Sequence, residues 1–181
     1  MKKRLIIFIA LLIILGCGAY FALVAAHSYY PREYEDLVTE YSNYYGLEEN
    51  LVYAVIKTES NFRASAVSRA DAHGLMQLTE DTLWWLIFKE GSNADLNRAD
   101  LLDPRVNIRY GCYMLSLMLE EFGQEETALA AYNAGRGRVN GWLEDPALSE
   151  DGKTLDKIPY DETANYVKKV ERAKKFYELL Y

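Results

Sequence analysis

An all-helical domain behind one membrane-crossing helix is the architecture this sequence predicts, and three observations predict it. The run Leu5–Ala26 carries no charged side chain and follows Lys2, Lys3 and Arg4. Beyond it, apolar residues recur at spacings of three and four in segment after segment, the period of a helix with one buried face. No alternating strand of convincing length interrupts them.

The elements follow in order. The 22-residue apolar run reaches about 33 Å as a helix, enough for a hydrocarbon core of roughly 30 Å. A cleaved signal peptide uses an apolar stretch of only about 7–15 residues before a small-residue site, for which Val24-Ala25-Ala26 would serve. Ile14-Leu15-Gly16-Cys17 loosely resembles a lipobox, with Leu15 a poor fit. The length favours an uncleaved anchor over residues 1–26. The cationic start stays in the cytoplasm and residues 27–181 form one extracytoplasmic domain, with secretion after cleavage as the rival.

Pro31 to Tyr45 reads as an amphipathic helix on Tyr34, Leu37, Val38, Tyr41, Tyr44 and Tyr45, ending at Gly46. Glu48 to Glu59 is a second, striped by Leu51, Val52, Val55 and Ile56. Asn61 to His73 has no period and reads as a loop. Thr79 to Lys89 is helical and stops at Gly91; Ser92 to Leu102 is irregular. Asp103-Pro104 opens a long helix that ends before Gly123, because proline at a first helical position loses no hydrogen bond. Glu125 to Ala134 is the next helix. Asn140 to Ile158 reads as a polar loop, and Asp161 to Leu180 as the last helix.

Charge narrows the partners. Three of the 20 basic residues precede the apolar run, so the remainder carries 17 against 27 acidic, a net charge of −10. Such a domain repels phosphate backbones, which argues against nucleic acid. Half of the residues are hydrophobic, which excludes disorder. Cys17 lies in the span and Cys112 stands alone beyond it, so no disulfide forms within the domain. Cys112 reads as a small buried hydrophobe.

Glu59 stands out. It continues Leu51 and Val55 at i, i+4, i+8, and so ends the apolar stripe rather than the wet face. A carboxyl there is desolvated, which raises its pKa toward the range a proton donor needs. The bland alternative is a helix end that releases it to solvent.

Four segments in order speak against that alternative. They are Glu59-Ser60, Gly74-Leu75-Met76-Gln77-Leu78, Ala131-Tyr132-Asn133-Ala134-Gly135 and Glu162-Thr163-Ala164-Asn165-Tyr166-Val167. The series resembles the lytic transglycosylases of the soluble-lytic-transglycosylase family, which share the lysozyme-like fold of goose-type lysozyme. Asp103 to Gly111 is similar to the family's central helix, and the resemblance runs from about Tyr41 to Tyr177. It implies that Glu59 is the catalytic acid and that Ser60, Met76, Gln77, Tyr132, Asn133 and Tyr166 line the substrate groove.

The implied substrate is the peptidoglycan glycan strand, cut between N-acetylmuramic acid and N-acetylglucosamine to leave a 1,6-anhydro end, with no metal or cofactor. Asn and Gln suit N-acetyl groups because each both donates and accepts. Tyrosine offers a flat face to a sugar ring and a polar tip to its hydroxyls. Met76 also has a bland reading as core.

Two departures accompany the match. Ala70-Asp71-Ala72 stands where the family has a small Ala-Gly-Ala turn, a place where Asp tolerates a left-handed backbone. His73 reads as a solvent-facing loop residue. Glu80, Asp81, Asp103 and Glu162 are candidates for a second carboxylate, but none sits on an apolar face. A water-using muramidase on the same fold and an inactive wall-binding module are the rival functions.

Overall fold

The computed structural model describes residues 2–181, and the side chains of residues 2, 4, 5 and 10 lie outside that description. Eight α-helices account for the described fold, with no strand among the described residues. Helix α1 (Lys2–Tyr29) includes a largely apolar window, Ile6–Tyr29, whose described side chains up to Ala25 stand exposed, while its end meets the domain through His27 against Tyr181 and Tyr29 under Lys57. It therefore runs three residues past the sequence-derived boundary at Ala26.

Helix α2 (Glu35–Tyr45) begins later than the sequence suggests. Tyr34 takes a left-handed backbone (φ 58°), which breaks the helical path between Pro31 and Glu35. Its C-terminus is closed by Gly46 at φ 67°, as predicted. Helix α3 (Glu49–Glu59) buries six consecutive residues, Leu51 to Ile56, more than one face of a surface helix would. It is the axis of the core. Helix α4 (Glu80–Glu90) is capped by Thr79, whose side chain accepts from the Thr82 amide.

A short 3-10 turn at Asp100–Leu102 leads into α5 (Pro104–Phe122), where the Asp103 side chain accepts from the amides of Arg105 and Val106. Helix α6 spans Glu125–Ala134, α7 Arg136–Leu143 and α8 Asp161–Leu180. Helix α7 corrects the sequence reading, which assigned its second half to a loop. Gly137 and Gly141 depress helix propensity there by about 1 kcal/mol each. Val139 and Trp142, one turn apart and both buried, override that through packing.

Packing explains the architecture. Helix α3 lies against α8 and α2, while α5 lies against α2 and α6, and α6 also touches α7 and α8. Val52, Ile56, Leu115, Leu129 and Val170 meet in the main core. A satellite cluster holds α4 against the other flank of α5 through Leu83, Leu86, Leu101 and Tyr110. Each such side chain contributes about 1.5–3 kcal/mol, more than the caps at about 1 kcal/mol, so burial rather than capping decides which segments pack.

The end of α1 is clasped by the domain. Tyr181 donates its hydroxyl to the Tyr30 carbonyl and Tyr177 to the Pro31 carbonyl, each at 3.0 Å. Tyr30 stacks on Phe176, and the Arg32 guanidinium lies over the rings of Tyr53 and Tyr181. Arg32 also donates to Asn50 at 2.8 Å.

Candidate functional site

Glu59 is the last residue of α3, and its carboxyl opens on a cavity of about 590 Å³ between the 61–79 loop, α5, α6 and the start of α8. Protein surrounds most of the side chain, leaving an edge toward the cavity. Burial pushes its pKa from the usual carboxyl value up to about 7; the Tyr166 hydroxyl pulls it back by less. That hydroxyl approaches the carboxyl more loosely than a full hydrogen bond and has no other partner among the described residues. Tyr132 stands on the other side, its Oη donating 2.8 Å to the Met76 carbonyl.

The loop between α3 and α4 builds the opposite wall. Asn61, Phe62, Asp71 and Gln77 all adopt positive φ, a costly choice for side-chain-bearing residues at about 1–3 kcal/mol each. Asp71, at φ 57°, takes the left-handed position expected of it. Two isolated antiparallel bridges, Val67 to His73 and His73 to Leu78, pin the loop to itself.

Gly74 has φ 79°, and a Cβ there would sit 2.2 Å from the Leu101 carbonyl oxygen. Only glycine fits this approach. What it approaches is Asn107 on α5, fully buried. Its Nδ2 donates to the carbonyls of His73 (2.9 Å) and Leu101 (2.8 Å), and its Oδ1 accepts from the Met76 amide (2.7 Å). Asn107 thus latches the wall to the central helix. Its signal in the sequence is faint, an amide between Val106 and Ile108 with Arg105 and Arg109 beyond them, and its partners are backbone groups no pattern displays.

The sequence-predicted residues divide into two sets. Gln77, Tyr132 and Asn133 line the cavity with Glu59, and Tyr166 stands behind the carboxyl. Ser60 and Met76 do not reach it. Ser60 is 2% exposed and its hydroxyl donates to the Ile56 carbonyl, as the residue closing α3. Met76 is fully buried against Gly111, whose missing side chain leaves room for its sulfur. Both support the site from beneath.

Gln77 needs a narrower correction. Its Nε2 is already engaged with the carbonyls of Gly74 (2.8 Å) and Ala66 (3.2 Å), so the amide braces the loop as well as lining the cavity. His73 is buried rather than solvent-facing, with Nε2 2.9 Å from Asp71 Oδ1. Cys112 is buried as expected, and burial pushes its thiol pKa well up.

Of the other candidate carboxylates, Glu80 and Asp81 lie in the first turn of α4 and Asp103 caps α5. Glu162 does line the cavity, from the exposed first turn of α8. The cavity is also elongated. A neighbour of about 320 Å³ shares Thr82, Met114 and Gly135 with it, and another of about 670 Å³ continues through Trp85 and Arg136.

A helical domain with a long cleft whose wall holds one desolvated glutamate, and its likeness to a solved lytic transglycosylase, define a lysozyme-like class of protein. Within that class the chain belongs to the transglycosylase SLT domain family, whose model matches residues 36–154.

It is 33% identical over 173 residues to the membrane-bound lytic murein transglycosylase C of Pectobacterium atrosepticum, covering 84% of this chain and 47% of that one. The soluble lytic murein transglycosylase of Salmonella typhimurium is 33% identical over 143 residues, 78% of this chain and 22% of its own. The chain thus spans less than half the length of these curated relatives.

Among solved structures, the 70 kDa soluble lytic transglycosylase of Escherichia coli superimposes with a TM-score of 0.75 at 29% identity, over 85% of this chain and 25% of that chain. A lytic transglycosylase from Pseudomonas aeruginosa, crystallised as an inactive glutamate-to-glutamine mutant, gives 0.71 at 31% identity, over 83% of this chain and 25% of its own.

Proposed function

We propose that this chain is a membrane-anchored lytic transglycosylase acting on the glycan strands of peptidoglycan. The observation that carries the reading is Glu59, a carboxyl with a pKa near 7 in the wall of a long cleft. At neutral pH such a group is divided between acid and base, as a residue that must first give and then take a proton requires.

Protonated Glu59 donates to the oxygen linking N-acetylmuramic acid to N-acetylglucosamine, and that sugar leaves as an alcohol. The C6 hydroxyl of the muramic residue then attacks its own C1 and surrenders its proton to the Glu59 carboxylate. The product is a 1,6-anhydro ring, the carboxyl is regenerated and no water is consumed. Asn133 and Tyr132 face the bound sugar, and Tyr166 orients the carboxyl. The relatives' names and the inactive glutamate mutant of one of them support the same chemistry.

Residues 1–26 are proposed as the core of a single-span anchor that in the folded chain extends to Tyr29. Lys2, Lys3 and Arg4 lie on the cytoplasmic side and the domain on the other.

The test is end-group analysis of peptidoglycan digested by the full chain in detergent. Anhydro ends are expected; free reducing ends would identify a muramidase. Failure to clear a suspension of purified walls would leave only a binding module. Glu162→Gln distinguishes one-carboxylate from two-carboxylate chemistry, because a hydrolase needs a second acid for water or for a covalent intermediate. That variant is expected to keep most of its activity.

A further inference from the structure

We propose that the cavity at the domain-side end of α1 binds the phosphate of an anionic lipid headgroup. The proposal rests on the reading of α1 as a membrane span. The cavity measures about 430 Å³ and is lined by Tyr29, Tyr30, Lys57, Asn61, Lys169 and Arg172 among others, with three cations and no carboxylate. In a chain of net charge −7 such a lining is exceptional. Lys169 and Arg172 are exposed, one turn apart on α8, and neither forms an ion pair among the described residues.

Lys57 is held in place rather than loose. Its ammonium donates to the Tyr29 carbonyl and to Asn61 Oδ1 and lies 3.9 Å from the centre of the Tyr29 ring. An ammonium has three N–H donors, so one is left for a ligand. Burial lowers the pKa of Lys57, the cost an arriving anion would offset.

Position selects the ligand. Tyr29 is both the last residue of the apolar window and part of the cavity wall, so the site sits at headgroup depth. Tyrosines are favoured at that depth, and basic side chains there attract anionic lipid. The cations belong to a folded domain far along the chain, so they do not oppose an outward orientation, which is set by short flanking segments. A free phosphate would be an alternative source of the same chemistry, but nothing holds it at this depth.

The experiment uses the full chain in nanodiscs of phosphatidylcholine with a minor share of phosphatidylglycerol, reading by native mass spectrometry which lipid stays bound. Phosphatidylglycerol is expected to be retained. A Lys169→Gln, Arg172→Gln double variant should lower that retention about 25-fold, at roughly fivefold per cation. Both positions are exposed, and an unchanged circular dichroism spectrum would show that folding is preserved. Equal retention of the two lipids, no loss in the variant, or displacement by inorganic phosphate would overturn the site while leaving the anchor standing. A chain that fails to stay with the nanodisc would overturn both.

Discussion

At the scale of single residues, Glu59 makes two separable predictions. Glu59→Gln removes the titrating proton from both halves of the reaction, and release of anhydromuropeptides should fall by about 10²–10⁴-fold or more. Its stability should move the other way. The folded state holds the Glu59 pKa near 7 against 4.5 normally, so it prefers the protonated form.

That preference is fully expressed below about pH 4.5 and is lost as pH rises through 7, at a cost of about 3 kcal/mol. Glu59→Gln should therefore melt several degrees higher than wild type at pH 8 and show no advantage below pH 4.5, measured by thermal unfolding in detergent.

The two amides of the cleft separate in the same assay. Gln77→Ala strips donors from the Gly74 and Ala66 carbonyls and should cost about 1–3 kcal/mol as well as activity. Asn133→Ala should lower activity with little change in melting temperature. Glu59 drew attention because it continues the stripe of α3, but that spacing alone favours a helix end released to solvent; the four motifs in order are what single it out. The bracing role of Gln77 was not legible, since its partners are carbonyls brought together by a loop with left-handed turns.

Elements carry the next layer. Helix ends with a chemical signature, Thr79, Asp103-Pro104, Gly91 and Gly123, were readable within a residue because caps are local chemistry. Helix α7 was not, because its stability comes from where Val139 and Trp142 land. The 61–79 wall depends on contacts just as remote. Asn107→Ala removes three hydrogen bonds and should destabilise the protein by about 3 kcal/mol or more. Hydrogen exchange checks the cause, since the Met76 amide should lose protection far more than amides in α3. Gly74→Ala should be worse, because it combines a positive φ with a backbone clash.

For the molecule as a whole, the expected behaviour is retention in the membrane fraction through high-salt and carbonate washes. A mature form starting near His27 in the medium would refute the anchor. The lysozyme-like class was readable from four short motifs in order. The extent of the cleft was not, because Trp85 and Arg136 join it only when α4 and α7 are packed beside α5.

The clasp at Tyr30, Pro31 and Arg32 has a mechanical consequence. Between the end of α1 at Tyr29 and the start of α2 at Glu35 no slack remains, because the intervening residues are bonded to α8 and α3. If α1 is the proposed anchor, the cleft would ride at a set height above the bilayer rather than swing outward on a leash. Under that proposal its reach would be limited to glycan passing close to the membrane. A Gly/Ser insert of about 25 residues after Tyr30 would add roughly 25–30 Å of play. With the enzyme held in its native vesicles, the lengthened form should release more product from thick isolated walls, while the rate on short soluble strands stays the same.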